Sequence, residues 1–559
     1  MKKTRTDFPR TLLSVFLPGL IIGAVLFTAT YGTRILDVTY DGWIDKVKDP
    51  DIHQHYLGWC HFRISPWFFP PGLMDSLSFP HKISILWTDS IPLFAIIFKC
   101  FRSLLPETFQ YFGLYGLLSF CLTGGTAALL VYRLTGSRTA ALISVPFITE
   151  SFPMLQRMFY HTSLTAHYLI IIPLLFWLYD GYKWPVWKKC VIWGSYFFIS
   201  VLLHPYLWAM GAVIAFFAFL DEILKIKDMF PAFVTGLVSA ALTFLALFLM
   251  GAFYGNVGAS YKPGGFESNL NAFFNPLNFS RLFGPLPINN PNQYEGFAYL
   301  GLGGLLLVLS SAVFTLGASI NGRKIKGGKR DIRFILLIVM GIFFFLISLI
   351  PDISLNDALL FRLKLPGILE TIAGIFRSGG RFIWPTLILI YASCFCLLFR
   401  SVRGFRSGLA VAALTLVFLG LQLFDMSDVL MEKHAHFTKE VKGWHSDLEN
   451  ESLQPLIGNY KHIVLVTTDQ ILTERTAYFA MRNGLTLNRF YFARNIDEKT
   501  DATLKEYKDA CIRGDIPEDV IFVFDEDSLR EWRKDTGLHF YDLTGTIIGI
   551  AGELGLPEL

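Results

Sequence analysis

The stretch "ISILWTDSIPLFAIIFKCF" (83–101) decides how the first half of this chain is threaded. It is apolar and long enough to span a bilayer, yet it contains Asp89 and Pro92 and ends in Lys99-Cys100-Phe101-Arg102. If it crosses, Arg133, Arg138, Lys183, Lys188 and Lys189 all face outside. If it lies on the outer surface, those five face the cytoplasm and Lys99, Arg102 and Arg157 face outside. Positive residues gather on the cytoplasmic side. A carboxylate at Asp89 inside the bilayer would cost a few kcal/mol. The run is therefore expected to lie on the outer surface as an interfacial or re-entrant helix.

Around it, apolar runs recur at 12–31, 109–132, 139–154, 164–181, 188–203, 206–220, 231–254, 298–318, 334–350, 382–399 and 408–425. Their continuity excludes a barrel, whose strands alternate. Only 17% of the 559 residues are charged, below the roughly 25% of an ordinary soluble protein. The fold expected is an α-helical polytopic membrane protein of about eleven spans with an external C-terminal α/β domain. The net charge of +4 gives no reason to invoke nucleic acid. The seven Cys are scattered and show neither a disulfide framework nor zinc spacing.

Lys2, Lys3, Arg5 and Arg10 precede the first run, and no clear cleavage site follows it. The reading is a retained anchor with a cytoplasmic N-terminus. His204-Pro205 breaks 188–220 into two helices at an external turn, because Pro lacks the donor that a continuous helix needs. The basic loops "NGRKIKGGKRDIR" (321–333) and "RSVRGFR" (400–406) then fall on the cytoplasmic side, and 255–297, 351–380 and the tail fall outside.

Composition changes near Met426, so residues 1–425 are taken as the membrane domain, with an external loop at 32–108, and 426–559 as the tail domain. In the tail, 462–468 and 519–527 read as strands, with two more near 539–551; 471–484, 501–514 and 528–537 read as helices. No glycine-rich loop opens those helices, so a nucleotide site there is unsupported.

The loop "DPDIHQHYLGWCHFRISPW" (49–67) is dense in polar groups. Asp49 suits a helix N-cap and Pro50 its first position. Asp51, Gln54 and His55 then share a face. The expected picture is an amphipathic surface helix with aromatics in the interface and these three residues presented outward.

Asp89, Glu150, Arg157, His161, His167, His204, Glu295, Arg377 and Arg381 fall at the same outer level. Singly each has a plain explanation: helix-end imidazoles, a solvated loop carboxylate at Glu295, snorkelling arginines. Jointly they suggest a site for a charged substrate near the headgroups.

The first span, acidic outer loop and surface helix resemble the GT-C class of integral membrane glycosyltransferases. The segments "DIHQHYLGWCHFRISPW" (51–67), "TDSIPL" (88–93), "LPETFQYFGLYGL" (105–117), "QRMFYHTSLTAHYLI" (156–170), "QYEGFAYLGLG" (293–303) and "FRSGGRFIWP" (376–385) are similar to an uncharacterised bacterial multi-pass family catalogued as a domain of unknown function. That family usually has Asp-Pro just before the Gln-His pair. Here Asp51 is followed by Ile52, and spacing to Gln54-His55 favours Asp51 over Asp49 for the family's position.

The resemblance implies a polyprenyl-phosphate sugar donor, an extracytoplasmic acceptor (glycan, lipid or protein), inversion, and residence in the bacterial cytoplasmic membrane. Asp51 is the first candidate base, with Asp89 or Glu150 next. Arg377 and Arg381, then Arg63, are candidates for the leaving phosphate. Gln54, His55, His161, His204 and Glu295 complete the substrate-binding set. His55 and His161 could orient a carboxylate, bind phosphate or hold a divalent metal, for which Asp51 and His55 are the ligand candidates. Two alternatives stay open: a transporter or flippase of lipid-linked glycans, and a non-catalytic envelope-assembly protein. Polar groups at helix ends rather than the bilayer midplane, and halves without obvious symmetry, rank the transporter second.

Overall fold

The computed structural model describes residues 10–255, 264–320, 332–402, 405–493 and 497–559. The basic loop 321–331, residues 403–404 and the first nine residues, on which parts of the topology reading rest, lie outside the described residues. Among the described residues, eight helices are long and apolar enough to cross a membrane. The expected spans at 139–154, 164–181 and 334–350 are helices of 12, 11 and 17 residues, shorter than the roughly 20 that a straight span needs. The run 83–101 holds a two-residue strand, a short 3-10 turn and the helix Pro92–Cys100. A helix of 9 residues is about 14 Å long, less than half the hydrocarbon thickness.

Contacts divide the chain into two compact units. The first comprises Met1–Asp37, Tyr111–Thr243 and Tyr261–Lys439. One close crossing joins the Leu12–Tyr31 and Phe112–Thr135 helices. Gly19 and Gly23, four residues apart, present bare Cα atoms to the facing helix. A Cβ on Gly23 would sit 2.3 Å from the Phe120 carbonyl oxygen, and one on Gly124 would sit 2.4 Å from that of Gly19. In hydrocarbon, where burial of apolar surface drives nothing, such backbone contact is what holds helices together.

The predicted break at 204 is present. Val186–Leu203 and Pro205–Ile226 are separate helices, and His204 Nδ1 caps the second by accepting from the Tyr206 N–H at 3.1 Å. The expected boundary at 425/426 differs from this division, because the Ser427–Thr438 helix packs on the first span and lies 2.8 Å from the Ala29 carbonyl through His434 Nδ1.

The second unit comprises Val38–Gln110, Phe244–Ser260 and Glu440–Leu559. Its centre is a five-stranded mixed sheet, in the order Thr486–Leu487, His462–Leu465, Val520–Phe524, Thr546–Ile550, His539–Leu543. The first three run parallel, and Thr546–Ile550 is antiparallel to both its neighbours. Phe522, Phe524, Trp532, Val464 and Phe540 fill one face. The loop segment 76–79 extends the sheet edge: Leu487 N–H donates to Ser76 O at 2.8 Å and Phe79 N–H to Leu487 O at 2.7 Å. Thus the loop expected to belong to the membrane domain shares a fold with the tail.

Candidate functional site

In the first unit, three charged side chains converge at the ends of separate elements. Arg157 closes the short helix Phe152–Arg157, Glu295 sits in the 3-10 turn Pro291–Gly296, and Arg381 in the turn Gly379–Ile383. Arg157 Nη2 and Arg381 Nε both donate to Glu295 Oε2 at 2.7 Å, and Arg381 Nη2 donates to Oε1 at 3.1 Å. All three are buried. The plain alternative for Glu295, a solvated carboxylate, does not hold: two guanidiniums surround it.

Glycines allow this meeting. A Cβ on Gly380 would lie 2.7 Å from the Gly296 backbone, so only bare Cα atoms let the two turns touch. Ser268 fastens them, its hydroxyl donating to Gly380 O at 3.2 Å.

Burial alone would raise the Glu295 carboxyl. Arg157, then Arg381 with its hydrogen bonds, and His161 outweigh that and hold it down at about 2. His161 faces His204 with ring centroids 5.7 Å apart. Arg381 stacks over Tyr206 at 4.7 Å, and the Tyr206 hydroxyl accepts from the Ser378 N–H at 2.7 Å. Arg157 Nε is buried with no hydrogen-bond partner among the described residues. The triad carries one net positive charge. Arg377 stands apart from the ion triad, half-buried over the Phe266 ring at 4.9 Å.

Glu150 ends the Arg138–Thr149 helix. Its Oε1 accepts from the Thr30 hydroxyl at 3.0 Å, while buried Oε2 has no partner among the described residues. Between Arg157 and His161 the chain turns through Phe159, a buried aromatic with φ of +64°. That conformation costs a bulky residue on the order of 1–3 kcal/mol. Packing against Phe27, Tyr31 and Phe437 holds it, with ring centroids 5.0 to 6.1 Å away.

In the second unit the Pro50–Ile64 helix starts as the sequence predicts: Asp49 Oδ1 accepts from the Asp51 N–H at 2.9 Å, with Pro50 at the first position. Its expected amphipathic surface character is overturned. Every residue from Ile52 to Phe62 is buried. Several of its polar groups are paired within the unit. Gln54 Nε2 donates to Tyr491 O at 2.9 Å, His61 Nε2 lies 2.8 Å from Ala477 O, and the Tyr56 hydroxyl donates to Asp41 at 2.7 Å. His53 bridges Glu474 at 2.5 Å and Ile44 O at 3.1 Å, a link that nothing in the sequence signals.

Asp51 and Asp89 stay half-buried. The Ser90 hydroxyl donates to His55 O at 2.7 Å, and the His55 ring and Asp89 carboxylate come within 4.8 Å. Asp89 and Ile91 both have positive φ, 51° and 53°. For β-branched Ile91 this is a true outlier, and such strain concentrates at functional sites. Arg63 donates to the carbonyls of Glu107 at 2.9 Å and Leu105 at 3.1 Å, closing the loop.

A family model described as Domain of unknown function (DUF6311) matches residues 20–427, and one described as DUF6311 C-terminal domain matches residues 452–551. The chain belongs to the DUF6311 family. All the candidate residues above fall within the first match, while Glu474 and Tyr491, which hold the Pro50–Ile64 helix, fall within the second. No curated protein matches this DUF6311 chain. Among solved structures, it is similar to the apo crystal structure of the Archaeoglobus fulgidus oligosaccharyltransferase, with 12% identity and a TM-score of 0.45, over 99% of this chain and 76% of that one.

Proposed function

We propose that this protein is a membrane glycosyltransferase of GT-C architecture in the bacterial cytoplasmic membrane. It moves a sugar from a polyprenyl-phosphate donor to an extracytoplasmic glycan, lipid or protein. The observation that carries this is the pair of buried arginines sharing one carboxylate, with a further Arg157 donor left over and two histidines beside them. One carboxylate balances one guanidinium. The second is balanced when a phosphate arrives, and planar guanidinium is the group best shaped to bind one.

In the proposed reaction the acceptor hydroxyl attacks the anomeric carbon from the face opposite the phosphate. The bond from that carbon to the phosphate oxygen breaks, and polyprenyl phosphate leaves with the electron pair. Inversion follows from the single displacement. The hydroxyl proton passes to a carboxylate, Asp51 by the resemblance, with Asp89 and Glu150 next. Arg381 and Arg157 stabilise the charge that grows on the leaving phosphate. If transfer needs a divalent ion, His55 and Asp89, with Asp51 one turn earlier, are the residues that would hold it.

The test is transfer from polyprenyl-phosphate sugars by Asp51→Asn, Asp89→Asn, Glu150→Gln and Arg381→Lys proteins matched for expression, with and without chelator. Loss at Arg381 together with loss at one carboxylate supports the reading. Full activity in all four removes it.

A further inference from the structure

Residues 352–375 hang from the first unit between the Ile332–Ser348 and Trp384–Ser401 helices. They form a hairpin, Asp352–Leu355 with Ala358–Arg362, then the helix Gly367–Ile375. The first strand is anchored. Leu270 N–H donates to Ser354 O at 3.0 Å, Gln293 Nε2 to the Ser354 hydroxyl at 2.7 Å, and Asn289 Nδ2 to Asp357 O at 2.8 Å. The second strand is exposed along its whole length, although it reads Ala-Leu-Leu-Phe-Arg.

The helix is inverted in the same way. Ile368, Ile372 and Ile375 lie on one face at spacings of four and three, with Leu369 beside them, and all four are exposed. Only Gly374 of this helix is buried. Glu370 takes the opposite face. Leu360, Phe361 and Ile368 are 51%, 52% and 75% exposed. A water-facing strand of this composition would be a template for aggregation, and monomers in water rarely leave so large an apolar patch open.

We infer that 358–375 is a membrane-docking element whose partner is the hydrocarbon of the adjacent lipid leaflet. The surface follows a second exposed apolar face along the chain: Phe334, Ile338, Ile342 and Leu346 of the preceding apolar helix are exposed in turn along one side. Between Leu365 and Phe376 the only charge is Glu370, so the helix has the composition of one lying in the interface plane with its apolar face down. Arg362 and Lys364, which flank the apolar stretches, then sit at headgroup level. The anchored strand fixes how the element leaves the protein, and the free strand and helix enter the lipid. This assignment stands apart from the transfer reaction.

The test uses the full chain in phosphatidylcholine–phosphatidylglycerol vesicles, with exposed Cys100 replaced by Ser. Spin labels are placed through Leu360→Cys, Ile368→Cys and Glu370→Cys, and collision with oxygen is compared with collision with a water-soluble nickel chelate. The expected result is a several-fold excess of oxygen over chelate at 360 and 368, with the balance shifted toward chelate at 370. Chelate dominating at 360 and 368 would place the element in water and overturn the inference. Exclusion of both reagents would overturn it too, by putting a second protein chain on the patch.

Discussion

The His53 ring and the Glu474 carboxylate, 421 residues apart in sequence, meet at 2.5 Å and are both buried. The contact fastens the Pro50–Ile64 helix to the Gln470–Arg482 helix. Removing one member of a buried polar pair strands the other, at a cost of about 1–3 kcal/mol. Glu474→Ala should therefore lower the unfolding midpoint sharply, and Glu474→Gln, which keeps an acceptor, should lower it less. Equal melting of all three proteins would show that the contact contributes nothing.

Gly380→Ala tests the frame of the arginine triad rather than its charges. A methyl 2.7 Å from the Gly296 backbone must push the turns apart, at a cost of about 1–3 kcal/mol. Transfer activity and binding of a polyprenyl phosphate should both fall, although every charged side chain is retained. Wild-type binding in that protein would mean that the triad does not need the close approach.

Arg381→Lys keeps the charge and loses the two-pronged grip on Glu295. Losing one charge-assisted hydrogen bond costs about 1.5–3 kcal/mol, so activity should drop by roughly tenfold to a hundredfold. The comparison is meaningful once thermal stability has been matched.

Acid should loosen the second unit through His61. Burial depresses that imidazole to about 4, against an ordinary value of 6.5. The unfolded chain therefore takes up a proton below 6.5 that the native chain refuses. Native stability is full above 6.5 and falls as the pH drops toward 4, by on the order of 3 kcal/mol. The decline of the melting midpoint between those values should flatten in His61→Gln. Glu295 has the opposite sign of charge and titrates lower. Its carboxyl is held at about 2, so its contribution stands above the ordinary carboxyl range near 4.5 and is lost only between there and 2. A triad-dependent activity that vanished at pH 5 would contradict this.

Gly23→Leu should prevent the first span from docking. A side chain there meets the Phe120 carbonyl at 2.3 Å, which is backbone and cannot step aside. Protease resistance of the membrane part is the readout, and a wild-type digestion pattern would count against the crossing.

The long spans were legible because an apolar run needs no partner to declare itself. The Asp49 cap was legible because capping is local, and so were most tail elements, which carry their own periodicity. The burial of the Pro50–Ile64 helix was not legible. Part of its cover comes from residues beyond 470, and His53, Gln54 and His61 spend polar atoms on carbonyl groups at Ile44, Tyr491 and Ala477. A helix dense in such groups looks solvated when read alone. Residues 157, 295 and 381 were recognised as a level but not as a triad. Their meeting depends on Gly296 and Gly380, which a sequence shows only as glycines in loops. The exposed strand at 358–362 passed unnoticed because its apolar run is too short to register as a span.

The grouping of Val38–Gln110 with Glu440–Leu559 also sets a timetable. A ribosome adding about 5–20 residues per second needs tens of seconds to go from the early segment to the late one. Throughout that interval His53, Tyr56 and His61, all buried in the finished unit, await Trp444, Glu474 and Ala477, which have not yet been made. The early segment must be kept from other partners until the last part of the chain arrives. Loss of the C-terminal residues would thus act at the other end of the protein, on the helix that bears Asp51 and His55.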